Sequence, residues 1–352
     1  MHFPFGITFM LPMMSRAGGP RVTVEMANQL LMRGYNVNIA CQKVKFTLKS
    51  ALNLLYLSAT GKHYHHWGHS FLKKVVYYNN LAEAQFPENE IVIAVGSKTS
   101  NLIKSISGNF IKVRFCHGFD SSNEEYTKNV WSGDIDTIAV SQTLVPRLEE
   151  YSQKKVMAVV PNGIRKDQYF TEDLIRDGIG MIYETHPNKA PEHREELIKM
   201  ILTKWPEVPL YIFGACRRPS FIPRKYYWQF PSINKSRELY NRAKIWLIPS
   251  RMEGLPGPVL EAMACGAAVV STDNLGSAEI IKHEVNGYMV PVDQPESFLK
   301  YIDLLLNNES ERLKVVDGGF KTVDLFTWER AVEKMEHFLN MLIEKHRYKK
   351  IR

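Results

Sequence analysis

The stretch from Pro249 to Gly266 holds the residues best suited to chemistry. Glu253 and Glu261 stand eight positions apart, with Gly254-Leu255-Pro256-Gly257-Pro258-Val259 between them. The spacing predicts Glu253 on a loop after a strand and Glu261 in the first turns of a helix starting near Pro258, so that both can point into one cleft. A helix start offers unused N–H groups and the positive end of the helix dipole, which suits a phosphate. Pro256 and Pro258 have no N–H to give, so the donors fall to Gly254, Leu255, Gly257 and Val259. Carboxylates beside such a cradle accept hydrogen bonds from sugar or ribose hydroxyls. Together these parts describe a pocket for a sugar attached to a diphosphate. An ordinary capped helix with surface glutamates explains either Glu alone, but not the whole segment.

The elements that must position this segment follow a repeated plan. Ile7 to Leu11 is a continuous apolar run, as in a strand buried on both faces. Gly18-Gly19-Pro20 follows it, then Val22, Met26, Leu30 and Leu31 at helical spacing, and Gly34 closes the helix before a strand at Val37 to Cys41. This is a βαβ unit, so the sheet is parallel, with helices on both faces. Further strands are predicted at Ile91–Val95, Ile111–Cys116, Thr137–Ser141 and Val156–Val160, with a turn at Pro161-Asn162-Gly163. The second half repeats the logic. It has strands at Ile179–Ile182, Leu210–Phe213, Ile245–Ile248 and Ala267–Ser271, and helices at Arg194–Leu202, Pro258–Ala264 and Glu296–Leu306. The expected organisation is α/β, with two tandem doubly wound, Rossmann-like domains facing a central cleft. The boundaries are 1–167, 168–326 and a last helix over 327–352, which can cross back to the first domain. Ligands of such sheets bind beyond the carboxyl ends of the strands.

A chain of 352 residues, 45% hydrophobic and 23% charged, fits two globular domains and excludes disordered, collagen-like and coiled-coil classes. No apolar run reaches the ~18 residues of a spanning helix. The start of the chain reads as a strand rather than a signal peptide. The four cysteines form no CxxC pair and sit in apolar contexts, which fits small buried side chains in a reducing compartment. Net charge is +8. From Met1 to Ala82 the only acidic residue is Glu25, against Arg16, Arg21, Arg33, Lys43, Lys45, Lys49, Lys62, Lys73 and Lys74, with His63, His65, His66 and His69 among them. That end expects an anionic neighbour.

The Pro249–Gly266 segment resembles the signature of the retaining nucleotide-sugar glycosyltransferases of family 4, which have the GT-B fold. Ala17-Gly18-Gly19, Leu30 to Val37, Ile138 to Ser141, Val160 to Ile164, Asn274 to Glu279, Asn286 to Val290 and Phe326-Thr327-Trp328 are similar to other landmarks of the family and occur in its order. The resemblance implies a transferase that moves a sugar from a nucleotide-diphosphate donor to a glycan or lipid-linked acceptor with retention, in cell-surface polysaccharide or glycoconjugate synthesis. It implies no metal and no cofactor. Glu253 and His117 would act at the sugar, and Glu261 at the ribose. Gly18 and Gly19 would approach the diphosphate, with Lys189 binding it. The family's arginine position is Tyr183 here, a departure, because a phenol supplies neither the charge nor the forked donors of a guanidinium. Arg217, Arg218 or Arg251 are candidate replacements.

Other readings fit less well. A nicotinamide-dependent oxidoreductase needs GxGxxG and an acid at the end of the second strand, where this chain has Cys41-Gln42. A nucleic-acid binder would account for the basic stretch and for Tyr64, Trp67, Tyr77 and Tyr78, yet no nucleic-acid module is present. A non-catalytic relative that binds a glycan or a partner is kept open by Tyr183. The segment Lys62 to Lys74, with Leu52, Leu54, Leu55 and Leu57 before it, is expected to form a basic amphipathic surface. It would place a cytoplasmic protein at the inner face of the cell membrane, or hold an acidic, lipid-linked acceptor.

Overall fold

The structure is a computed structural model and describes residues 3–15, 18–43, 67–120 and 122–351. Two units make up the chain: Met1–Phe119, Asn123–Asn162 and Trp328–Arg352 form the first, and Asp120–Ser122 with Gly163–Thr327 the second.

The first unit is built on seven strands: β1 (Gly6–Leu11), β2 (Val37–Gln42), β3 (Val76–Tyr78), β4 (Glu90–Val95), β5 (Ile111–Cys116), β6 (Asp136–Ala139) and β7 (Ala158–Val159). Their order is β3-β2-β1-β4-β5-β6-β7, and every pairing is parallel. The order reverses between β1 and β4, with Ile7 opposite both Val37 and Ile91. β1 and β4 are buried along their whole length, so their sequences are continuous apolar runs rather than alternating ones. Helices α1 (Gly18–Met32), α2 (Ser97–Leu102), α3 (Glu124–Trp131) and α4 (Val145–Ser152) surround the sheet, and the C-terminal helix Trp328–Ile351 packs on α1 and β7.

One buried cation organises the far side of this sheet. Arg114 on β5 is fully buried. Its Nε donates to Thr137 Oγ1 at 3.1 Å, and its Nη groups donate to the carbonyls of Val130, Ser132, Gly133 and Ile135 at 2.9–3.4 Å. It thereby ties the end of α3 and the turn after it to the β5–β6 pair. Burial pulls its pKa down to about 10, which still leaves a cation at neutral pH.

The second unit has six parallel strands: β8 (Gly178–Ile182), β9 (Leu210–Gly214), β10 (Tyr227–Gln229), β11 (Ala243–Ile248), β12 (Ala268–Thr272) and β13 (Tyr288–Val290), in the order β10-β9-β8-β11-β12-β13. Helices α5 (Pro191–Lys204), α6 (Ile233–Arg242), α7 (Gly257–Ala264), α8 (Gly276–Ile280), α9 (Ser297–Asn307) and α10 (Glu309–Val323) accompany them. The core on one face joins Ile179, Met181, Leu197, Ile201, Ile245, Leu247, Val270 and Phe298. On β8, Gly180 lets the Trp246 indole lie flat against the strand, since a Cβ there would come within 2.1 Å of the ring.

The structure adds elements to those expected from sequence. β3 and β10 are three-residue edge strands, and α6 reads Ile-Asn-Lys-Ser-Arg-Glu-Leu-Tyr-Asn-Arg, too polar to show a stripe. The expected amphipathic surface falls largely in 44–66, outside the described residues. Of its remainder, Trp67–Ser70 is a short 3₁₀ turn fastened to α1, with Asn28 Nδ2 donating to the Ser70 carbonyl at 2.8 Å and Asn28 Oδ1 accepting from Leu72 N at 2.9 Å. Among the described residues, no helix is long and apolar enough to cross a membrane.

Arg114→Ala leaves four carbonyls without their donor in the interior. The expected outcome is a loss of about 3 kcal/mol or more, read as a lower urea midpoint and melting temperature for the first unit.

Candidate active site

In the second unit, parallel strands bring the loops after β8, β11 and β12 to one edge of the sheet. The loop after β8 makes a 3₁₀ turn at Pro187–Lys189 and enters α5 through Ala190 at φ 47°. The Asn188 carbonyl accepts from the N–H groups of Arg251 (2.8 Å) and Met252 (3.1 Å), which fixes the β11 loop against it. On the other side, Glu253 N donates to the Asn274 carbonyl at 3.0 Å, and Gly276 N donates back to the Glu253 carbonyl at 3.1 Å. Gly276 is obligatory here, because a Cβ would sit 2.6 Å from the Gly254 carbonyl oxygen. Glu253 is therefore held on both flanks by backbone.

Its side chain meets Lys189. The Lys189 Nζ donates to Glu253 Oε1 at 2.7 Å and Oε2 at 2.8 Å, and Glu184 Oε2 lies 3.5 Å away. Burial alone would lower the pKa of this ammonium. Glu253 and Glu184 outweigh that, so the net shift is upward and Lys189 stays charged. The sequence places these two residues 64 positions apart, and the structure brings them into direct contact.

Glu261 lies in α7 and is buried. Its Oε2 accepts from Tyr240 Oη at 2.8 Å. Burial, and next the Glu261 carboxylate, push the Tyr240 phenol well above its ordinary pKa, so it remains a donor. Glu261 Oε1 lies on the Gly257 side, 3.8 Å from where a Cβ at Gly257 would be. Of the expected backbone donors, Val259 is not free, because its N–H donates to the Pro256 carbonyl at 3.1 Å in the opening turn of α7. Gly254 and Leu255 are buried, and Gly257 is the first residue of the helix.

Tyr183 belongs to the core. It packs in the apolar cluster against Phe221, with ring centroids 5.9 Å apart. Two of the suggested arginine replacements have other partners for their side chains. Arg251 Nε pairs with Asp293 at 2.6 Å and its Nη2 with Glu192, while Arg218 Nη1 donates to the carbonyls of Pro219 and Ile222. The cation beside the Lys189–Glu253 pair is Arg194 of α5, which sequence reasoning passed over. Only 3% exposed, it donates from Nε to the Ile182 carbonyl at 3.0 Å and from Nη2 to Ser250 Oγ at 3.1 Å, while Nη1 is buried without a partner. Glu184 and Glu253 are the acids whose fields act on it. Its place in the pattern was a signal: Arg194 stands three, four and seven positions before Leu197, Ile198 and Ile201, on the apolar stripe. A second unforeseen group is the buried network Ser271, Thr272, Asn274 and Ser277. Ser271 Oγ donates to Ser277 Oγ at 2.8 Å, and Asn274 Oδ1 accepts from Ser277 N at 2.9 Å, fixing the loop that braces Glu253.

In the first unit, Gly18 and Gly19 open α1, and a Cβ on either would meet nothing within 4 Å, so the backbone there faces open space. His117 follows β5, its ring 4.3 Å from that of Phe115, and its Nε2 is buried without a partner. Burial lowers its pKa to about 4, so the imidazole is neutral at physiological pH. Among the described residues, no group of His, Cys, Asp and Glu side chains is arranged to hold a metal ion. The thiols of Cys41, Cys116 and Cys265 are buried, and burial pushes each up to about 12.

Residues 227–322 match the family model described as glycosyl transferases group 1. A putative glycosyltransferase of Bacillus subtilis, YtcC, is 24% identical over 73% of this chain and 65% of its own length. The N,N'-diacetylbacillosaminyl-diphospho-undecaprenol alpha-1,3-N-acetylgalactosaminyltransferase of Campylobacter jejuni is 37% identical over 23% of this chain and 22% of its own length. The chain spans less than two thirds of the length of the curated relatives it matches. Among solved structures, Anabaena Alr3699/HepE in complex with UDP and glucose superposes with a TM-score of 0.77 at 14% identity, over 96% of this chain and 100% of that one. The fold is GT-B.

Two outcomes follow from this geometry. Gly276→Ala is expected to push the Glu253–Gly254 backbone aside and to cost about 1–3 kcal/mol of stability, read as a lower melting temperature by calorimetry. For His117, the native ring resists protonation until about pH 4, whereas an unfolded imidazole takes up its proton near 6.5. Stability from this residue therefore falls as pH drops from about 6.5 toward 4. His117→Gln is expected to flatten that part of a urea-midpoint profile, and an unchanged slope rejects the assignment.

Proposed function

We propose that this chain, whose second unit carries a group 1 glycosyl transferase domain, moves a sugar from a nucleotide-diphosphate donor to a glycan or lipid-linked acceptor with retention of configuration. The observation that carries the reading is the convergence of Lys189, Glu253, Glu261 and the start of α7 at adjacent strand ends. Lys189 and the α7 start suit the diphosphate. Glu253 suits sugar hydroxyls, and Glu261, steadied by Tyr240, suits the ribose. In the proposed reaction the bond from the anomeric carbon to the phosphate oxygen breaks and its electron pair leaves with the diphosphate. The acceptor hydroxyl attacks from the same face, and its proton passes to the departing phosphate oxygen. The developing charge on the leaving group is met by preorganised positive groups, with no metal in the scheme. The neutral His117 imidazole is assigned to a sugar hydroxyl.

The Campylobacter relative's name includes a diphospho-undecaprenol and the Anabaena structure holds UDP and glucose, which supports a lipid-linked acceptor and a nucleotide sugar here. A role in cell-surface polysaccharide or glycoconjugate synthesis fits such an acceptor. The basic bias of the first 82 residues supports peripheral contact with an anionic membrane face on the cytoplasmic side.

A panel of uridine, guanosine, adenosine and thymidine diphosphate sugars, read by nucleotide release, tests the reading. At least one is expected to be turned over, and Glu253→Ala is expected to reduce that turnover on the order of 10³-fold in a chain that stays folded, its melting temperature lowered by the loss of the Lys189 partner. Failure of every nucleotide and nucleotide sugar to bind at millimolar concentration would leave the non-catalytic alternative in its place.

A further inference from the structure

Lys189 and Glu253 are assigned to different halves of a donor, the ammonium to the diphosphate and the carboxylate to the sugar. In the structure each satisfies the other. The Nζ lies 2.7 and 2.8 Å from the two carboxylate oxygens, and the side chains are 26% and 12% exposed. A phosphate oxygen drawn to the Lys189 ammonium competes with the carboxylate, which already engages two of its three donors. Glu253 stays close to the ammonium, because its backbone is tied to Asn274 and Gly276 and its side chain is only 12% exposed. A covered carboxylate that loses its cation is costly unless new donors reach it.

An intact sugar nucleotide brings those donors as sugar hydroxyls. A free nucleoside diphosphate brings phosphates alone. Arg194 contributes a buried positive charge that remains when Lys189 changes partner, but its Nη2 and Nε are already committed to Ser250 and Ile182. It softens the exchange without replacing the bidentate contact.

We propose that the Lys189–Glu253 pair is an internal competitor that couples diphosphate capture to sugar recognition. The intact donor replaces both halves of the pair, whereas the free diphosphate product replaces only one and is held more weakly. The proposal rests on the transferase reading above and adds to it a role for Glu253 in product discrimination and release.

Calorimetric titration of UDP, GDP, ADP and dTDP into wild type first identifies the nucleotide that binds. Glu253→Gln keeps the size of the side chain and removes the charge that competes for Lys189. It is expected to bind that free nucleoside diphosphate about tenfold more tightly than wild type, while its affinity for the matching sugar nucleotide stays equal or falls. Glu253→Ala serves as a second variant should Glu253→Gln fold poorly, and the same gain is expected. In a Lys189→Ala background the gain is expected to vanish, because the competition has no object. Free diphosphate affinity in folded Glu253 variants that is equal to or below wild type overturns the coupling alone. Failure of every nucleoside diphosphate and every sugar nucleotide to bind wild type at millimolar concentration overturns the transferase reading together with it.

Discussion

The second unit depends on one constraint: three like-directed strands must deliver opposite charges to one edge of a sheet. Parallel pairing of β8, β11 and β12 makes all three loops emerge on the same side. The loops are then stitched in sequence, Asn188 to Arg251 and Met252, and Glu253 to Asn274 and Gly276. The Lys189–Glu253 contact is the side-chain counterpart of that stitching. Neither charge could be so largely covered without the other, and each stands where it does because the backbone leaves it little freedom. Beneath them the Ser271–Ser277 hydroxyls and Asn274 keep the interior polar groups of the third loop paired, so the loop is a rigid brace.

Much of this was legible in the sequence because it rests on strong local rules. Strands buried on both faces leave apolar runs, and Ile91–Val95, Leu210–Phe213 and Ile245–Ile248 announce themselves that way, whereas β5 interrupts its run with Lys112 and Arg114. The two glutamates were visible because glycine and proline isolate them. Tyr183, Arg194 and Tyr240 were not legible in the same sense. Whether a residue one step past a strand turns toward the core or the ligand edge depends on neighbours distant in sequence, here Phe221. Tyr240 lies on a polar helix with no clear periodicity, and only its contact with Glu261 across 21 positions shows its purpose. Val259 was misjudged for a plain reason: the opening turn of α7 tightens, and its N–H is used within the turn.

The charge bias at the start of the chain also takes a structural meaning. Arg33 is paired with Glu336 on the C-terminal helix. Lys73 is bound to Asn36 Oδ1 and the Val37 carbonyl, both at 3.0 Å, and Arg21 lies 5.1 Å over the Trp67 ring. On the opposite side of the same unit, Lys345 of that helix pairs with Asp136 at 2.5 Å. Part of what composition alone reads as attraction for an external anion is therefore answered by the last helix, which belongs to the first unit. That helix is reached through Thr327, whose neighbour Phe326 accepts from Ile164 N at 2.9 Å in the second unit.

Position 183 turns its tyrosine into the core, and the cation beside Lys189 and Glu253 is Arg194. Tyr183, one step past β8, fills its place with a buried ring that packs on Phe221. Arg194 reaches the end of the same strand from the first turn of α5, where Ile182 and Ser250 fix two of its nitrogens. In that position desolvation opposes the charge, and its pKa is lowered accordingly. The compensation is that its field acts through protein rather than water and is correspondingly stronger at short range. A mobile surface cation must be ordered each time a ligand arrives, whereas a buried one on a helix is already in place. Its Nη1 is enclosed without a partner, so Arg194 shapes the potential at Lys189 and Glu253 from within the protein.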